Sequence, residues 1–283
     1  MASMREIKRR KESIASTEQI TKAMKLVATV KLQKARNRAE SGKPYMRYMR
    51  AAMNFILSKA GAQVHPYLQE KEGGKHALVV ISSNRGLAGG YNTNLVRMIQ
   101  HSALQPENTV LYTLGKKGHD ALAGRGYTVA ADYSDVINAP LYQDAIDLAD
   151  TLLKAFSAGE ITGIDLAYTE FKNTVVHEPT LVRLLPVERS LSKTDENDRV
   201  LMNFDPDDDS VLDSIIPQYI TSLLFGAMLQ SVASENGARM TAMDAATDNA
   251  EEMIDELSIA YNRARQGAIT QELTEIIAGS RTY

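Results

Sequence analysis

Residues 219–277 read YITSLLFGAMLQSVASENGARMTAMDAATDNAEEMIDELSIAYNRARQGAITQELTEII. Pro217 is the last proline of the chain. Beyond it apolar or small residues recur three and four apart: Ile220, Leu224, Ala227, Ser231, Ser234, Ala238, Ala242, Ala245, Ala250, Met253, Leu257, Ala260, Ala264 and Ala268. That spacing draws one stripe along one α-helix. At about 1.5 Å per residue the helix runs roughly 90 Å, longer than a globular domain requires, so it is expected to project from one. Ala and Ser dominate the stripe, with Leu and Ile concentrated at its ends. Small seam residues let a second helix axis lie close alongside.

The second helix is expected at the other end of the chain. Ile7, Ile14, Thr21, Ala28 and Ala35 fall seven apart, with Met24, Leu32 and Ala39 on the intermediate turns. The only strong interruption before Lys59 is Gly42-Lys43-Pro44, which reads as a junction between two helical stretches. Charge supports the pairing. Residues 1–50 hold fourteen Lys and Arg against four Glu, whereas residues 205–283 hold four Arg against fourteen Asp and Glu. Opposite fields favour association of two long helices, although each exposed pair contributes only about 0.3–0.5 kcal/mol. The termini therefore read as an antiparallel coiled coil, 1–60 against 208–283.

Several function classes are disfavoured. The chain has no cysteine, hence no disulfide, thiolate metal site or cysteine nucleophile. No run of eighteen apolar residues suggests insertion into a membrane. A nucleic-acid arm fits the basic start poorly, because Lys22, Lys25, Lys31 and Lys34 flank an apolar stripe and no aromatic interleaves with them. A presequence avoids acids, yet Glu6, Glu12 and Glu18 are regularly placed here.

Between the helices, over 75–190, the periodicity changes to that of an α/β domain. Strands are expected at 77–82, 109–113, 127–129, 164–171 and 180–185, and helices at 92–103, 116–124 and 142–158. Alternation of this kind implies a mainly parallel sheet covered on both faces, in a Rossmann-like arrangement. The polar segment 190–209 is expected to be a solvated connection. Asp205 to Asp209 fit the start of the next helix, with Ser210 and Asp213 resembling a capping box.

Gly86-Leu87-Ala88-Gly89-Gly90 lies where a strand feeds a helix, the position at which nucleotide folds cradle phosphate. It matches neither G-x-x-x-x-G-K-[ST] nor G-x-G-x-x-G. The simpler reading is a tight exposed turn with positive φ, Ala88 included in the exposure. The alternative is a nucleotide-binding α/β enzyme using this turn. His65, His76, His101, His119 and His177 lack metal-ligand spacing and are expected at the surface.

Three motifs carry a resemblance. Ile7-Lys8-Arg9-Arg10 with residues 20–28 (ITKAMKLVA), residues 238–250 (ARMTAMDAATDNA) with 261–266 and 269–276, and residues 84–92 (NRGLAGGYN) together resemble the F-type ATP synthase γ subunit, bacterial type. The resemblance spans the chain end to end. It implies a central rotor stalk without catalytic, cofactor or metal residues, present as a single copy. Its partners would be three α and three β subunits, an ε subunit and the membrane c-ring. The α/β domain and the base of the coil would stand on that ring, and proton flow would turn them. The resemblance further implies a peripheral place on the cytoplasmic side of a bacterial cell membrane. Met24, Lys25, Ala88, Arg239, Arg265 and Gln266 are the partner contacts it carries over. The cysteine-bearing insertion of chloroplast relatives is absent, which argues against thiol regulation through this chain.

Overall fold

The computed structural model describes residues 4–59, 65–69, 71, 73–187 and 208–280. In chain order the elements are α1 (Met4–Lys59), β1 (Lys75–Ile81), α2 (Tyr91–Gln100), β2 (Thr109–Leu114), α3 (Lys116–Ala123), β3 (Thr128–Asp132), α4 (Tyr142–Ser157), β4 (Ile161–Phe171), β5 (His177–Leu185) and α5 (Asp208–Ser280). They form two compact units: Met1–Thr29 with Arg239–Tyr283, and Val30–Ala238.

In the first unit the start of α1 and the end of α5 run antiparallel. Thr21 meets Thr247 at 2.8 Å, Lys25 meets Asp244, and Lys22 lies 4.0 Å from Glu251. Thr21, Ala28, Thr247, Met243 and Ala250 are buried, and Ile7, Ile14 and Met24 are half-buried. The seven-residue pattern of α1 is therefore its inward face. On α5 the expected stripe slips. Ala245 and Met253 are exposed, and their places are taken by Met243 and Thr247. Ala245 and Ala246 lie three and four residues beyond Ala242 on one side of α5, yet Ala245 is exposed and the other two are half-buried, so small size alone could not fix where the seam runs.

In the second unit a five-stranded sheet has the order β3-β2-β1-β4-β5. The β3–β2, β2–β1 and β1–β4 pairs are parallel, and β5 closes the edge antiparallel to β4. Alternate residues of each strand serve opposite faces. Ala77, Val79, Ile81, Ile164 and Leu166 face a core built with α4 and with Met53, Ile56 and Leu57 of α1 and Leu212, Ile216, Ile220 and Leu224 of α5. Leu78, Val80, Leu111 and Ala167 face Leu95, Ile99 and Leu122 of α2 and α3. β5 begins at His177 rather than at 180 and runs through Pro179, which an edge strand tolerates because one side carries no ladder.

Other expectations are corrected. Pro44 lies inside α1 without ending it. A mid-helix proline costs about 3 kcal/mol, and here the inward stripe resumes beyond it and anchors Met53, Ile56 and Leu57 in the core. Ser210 is not a cap, since α5 is already running at Asp208. Asp213 instead accepts a hydrogen bond from His65 Nε2 at 3.2 Å. His65 itself is 2% exposed, not a surface residue. Of the connection read over 190–209, residues 190–207, with Asp205, lie outside the described residues, and Asp208 and Asp209 already belong to α5. Although no unbroken run of eighteen apolar residues occurs, α5 contains a stretch long and apolar enough on average to cross a membrane, and 44% of that stretch is buried inside the protein.

Candidate functional site

Two regions hold the candidate residues. The first is the helix pair. Met24 and Lys25 stand on α1 at the level of Asp244, five residues beyond Arg239 on α5. The Asp244 carboxylate accepts the Lys25 ammonium's hydrogen bond and raises its pKa, and Asp248 and Glu251 add to the field. Beside this pair, Ile20, Leu26 and Val27 are 57%, 64% and 57% exposed on the outer face of α1. Their exposure is legible only once the inward face is fixed.

Arg265 and Gln266 are not brought to that level. Seventeen residues of α1 precede Thr21, whereas thirty-three of α5 follow Thr247. From about Ala264 onward α5 has no described α1 residue opposite it, a stretch of roughly 24 Å at about 1.5 Å per residue. Arg265 and Gln266 are exposed at its start. Ile269, Leu273, Ile276 and Ile277 follow at helical spacing and are all about half or more exposed. An apolar stripe left uncovered by the described residues marks an interaction surface. Sequence reading noted Leu and Ile at this end, but not that α1 is too short to cover them.

The second region is the glycine turn at the C-terminal edge of the parallel strands. Leu87 and Gly89 have φ of 62° and 53°. Ala88 is 2% exposed, which corrects the expectation that it lies on the surface. The two left-handed residues roll the chain so that Leu87, 63% exposed, points out and Ala88 points in. The turn's polar groups serve the fold. Asn92 Oδ1 accepts from the Ser83 N–H at 3.1 Å, and the Ser83 hydroxyl donates to the Arg85 carbonyl at 2.7 Å. Asn84 donates to the Ser134 carbonyl at 2.7 Å and accepts from the Lys116 N–H at 3.0 Å. A phosphate cradle needs such donors turned outward.

Nearby, Asp132 accepts from Thr113 at 3.1 Å and from the Ser134 N–H at 3.0 Å. Partial burial works against its charge, but these bonds outweigh it and hold the carboxyl below its usual range. Among the described residues no cluster of His, Asp and Glu could hold a metal ion.

Known proteins agree with the motifs. The family model described as ATP synthase matches residues 3–282. The ATP synthase gamma chain of Lachnoclostridium phytofermentans is 57% identical over 287 residues, covering 99% of each chain. The sodium-ion-specific gamma chain of Acetobacterium woodii is 36% identical over 294 residues, covering 98% of this chain and 97% of the relative. A chain of the Euglena gracilis mitochondrial ATP synthase OSCP/F1/c-ring structure has the same fold, with a TM-score of 0.74 at 20% identity over 99% of this chain and 94% of that one.

Proposed function

The chain belongs to the ATP synthase gamma-chain family, the central stalk of the F-type enzyme, and on that premise we propose that it does no chemistry itself and works by turning. The observation that carries this reading is the end of α5, an apolar stripe that outruns α1 and needs a collar supplied by other chains. Three α and three β subunits around one copy would supply it. An asymmetric shaft offers each β subunit a different contact at each angle. Such differential contact energy shifts the conformational equilibrium of each catalytic site in turn.

Met24, Lys25, Arg239, Arg265 and Gln266 are assigned to contacts with the surrounding subunits. The turn carrying Ala88 is assigned to the same role, through the side chain of Leu87. Residues 75–190, with the lower coil, are assigned to the ε subunit and the membrane c-ring on the cytoplasmic side of the cell membrane. Proton flow is the proposed drive.

The inward-turned polar groups of the glycine turn speak against the enzyme alternative. The test is direct. A tagged copy should bring down α and β in stoichiometric excess over itself, and the isolated chain should neither bind nor hydrolyse ATP at millimolar concentrations. Micromolar ATP binding lost on mutating Gly89 or Gly90 would reinstate the enzyme.

A further inference from the structure

A cavity of about 640 Å³ opens in the second unit between α1 and α5, beside the first residue of α4. That volume lies within the roughly 300–1,000 Å³ typical of small-molecule sites. Glycine makes the space. A Cβ on Gly42 would meet nothing within 4 Å, and one on Gly226 only Met46, at 3.8 Å. The walls are apolar, with Met46, Ala51 and Leu229, and with Phe225 held edge-on by Tyr142 at a centroid distance of 5.4 Å.

The charges of this cavity have one sign. Lys43, Arg47 and Arg50 line it at positions i, i+4 and i+7 of α1, and all three are exposed. No Asp or Glu lines it, and no ion pair joins the three cations to a described carboxylate. Long cationic side chains lay their stems along apolar surface and hold their heads at its rim. Glu40, which feels the Lys43 charge, is already paired with Arg36 at 2.8 Å, and Arg47 stacks on Tyr48 without losing its charge. An apolar slot with such a cationic lip fits a molecule with an apolar body and one anionic end.

We propose that this cavity binds a single-chain anionic amphiphile, a monomeric long-chain carboxylate of the fatty-acid type, with its tail between Gly42 and Gly226 and its carboxylate at Lys43, Arg47 and Arg50. A partner helix is the competing occupant. At about 10–12 Å across with its side chains, a helix would ride on both lips rather than fill a slot made by two missing side chains. This proposal is independent of the rotary reading, because binding is measured without turnover.

The experiment titrates dodecanoate, tetradecanoate and hexadecanoate, each below its micelle concentration, into the assembled complex of this chain with α and β, read by calorimetry. One saturable site per copy of this chain is expected, tightening about fourfold for each added methylene. The methyl ester and the alkylammonium of equal length should bind at least tenfold more weakly. Arg47→Gln with Arg50→Gln, both at exposed positions, should weaken the carboxylate at least tenfold, and Gly226→Leu should abolish binding. The proposal is overturned by an absence of saturable uptake, or by equal binding of the alkylammonium. Equal binding of anionic phospholipid vesicles would move the source to a bilayer and overturn it too. Uptake by the isolated chain that vanishes in the complex would make the cavity a subunit interface and overturn it as well.

Discussion

Thr21 of α1 and Thr247 of α5 hold their hydroxyls 2.8 Å apart inside a seam otherwise lined by Ala28, Met243 and Ala250. Each hydroxyl also reaches a carbonyl of its own helix, Glu18 at 2.9 Å and Met243 at 2.8 Å. Each has a single proton, so at least one must divide it between its own helix and the partner. A polar pair at one seam position fixes the register of two helices more sharply than apolar contacts, which tolerate sliding.

Thr21→Val and Thr247→Val should each cost about 0.5–1.5 kcal/mol, because each leaves a buried hydroxyl with one partner fewer. Together they should cost less than the sum, since each single variant already removes the one bond between the two hydroxyls. A double-mutant cycle by thermal unfolding of the assembled complex checks this. Strict additivity would mean that the two hydroxyls do not interact.

The seam itself is tested by a pair of alanines. Ala250 is 5% exposed, and Ala250→Leu should overpack the helix pair at about 1–3 kcal/mol. Ala245 is exposed, and Ala245→Leu should change stability by about 0.5 kcal/mol or less. A cost for Ala245→Leu as large as that for Ala250→Leu would restore the register first read from the sequence, which placed both in the stripe.

What was legible divides along physical lines. On α1 large and charged residues alternate with the seam, so Ile7, Ile14, Thr21, Ala28 and Ala35 could lie on only one face. On α5 alanine is everywhere, and a residue that suits both seam and surface carries no phase. The strand at 77–82 announced itself as an apolar run, Ala77 to Ile81, buried on both faces, whereas that at 164–171 carries Asp165 and Glu170 among its apolar residues. Ala88 was misjudged because burial in a turn follows from backbone angles, here φ of 62° at Leu87, which a leucine does not advertise. The exposure of Ile269 and Leu273 depends on where a different helix stops, a fact that no local pattern contains.

The histidine at the β4–β5 hairpin gives a pH prediction. His177 packs against Phe171, with ring centroids 5.9 Å apart, and against Gly237 of α5. Burial lowers its pKa below 6.5, only partly offset by a backbone bond at Thr174. Above pH 6.5 the ring is neutral in both folded and unfolded chains and costs nothing. As pH falls below 6.5 the unfolded chain gains a proton that the folded one resists, so stability is lost. His177→Phe should flatten the decline in melting temperature between pH 7 and 5. An unchanged slope would assign that decline to other groups.

Glycine substitutions separate structure from ligand binding. A Cβ on Gly115, where φ is 115°, would stand 2.4 Å from the Ser82 carbonyl oxygen. Gly115→Ala should therefore destabilise by about 1–3 kcal/mol. Gly86 has nothing within 4 Å of the same position, and Gly86→Ala should leave both stability and ATPase activity of the complex unchanged. Loss of activity with Gly86→Ala at full stability would assign the turn a direct role.

The central claim is that this chain turns against its neighbours. Leu87 is 63% exposed on the turn assigned to face them, and the chain has no cysteine, so Leu87→Cys supplies a unique thiol. One cysteine placed on a β subunit can then bond to it where the two Cα atoms come within about 7 Å. The decisive measurement is ATPase activity of the complex with that disulfide formed, as shown on a non-reducing gel, and again after reduction. Rotation predicts that turnover stops with the bond and returns with the reductant. Sustained turnover with the bond intact would contradict it.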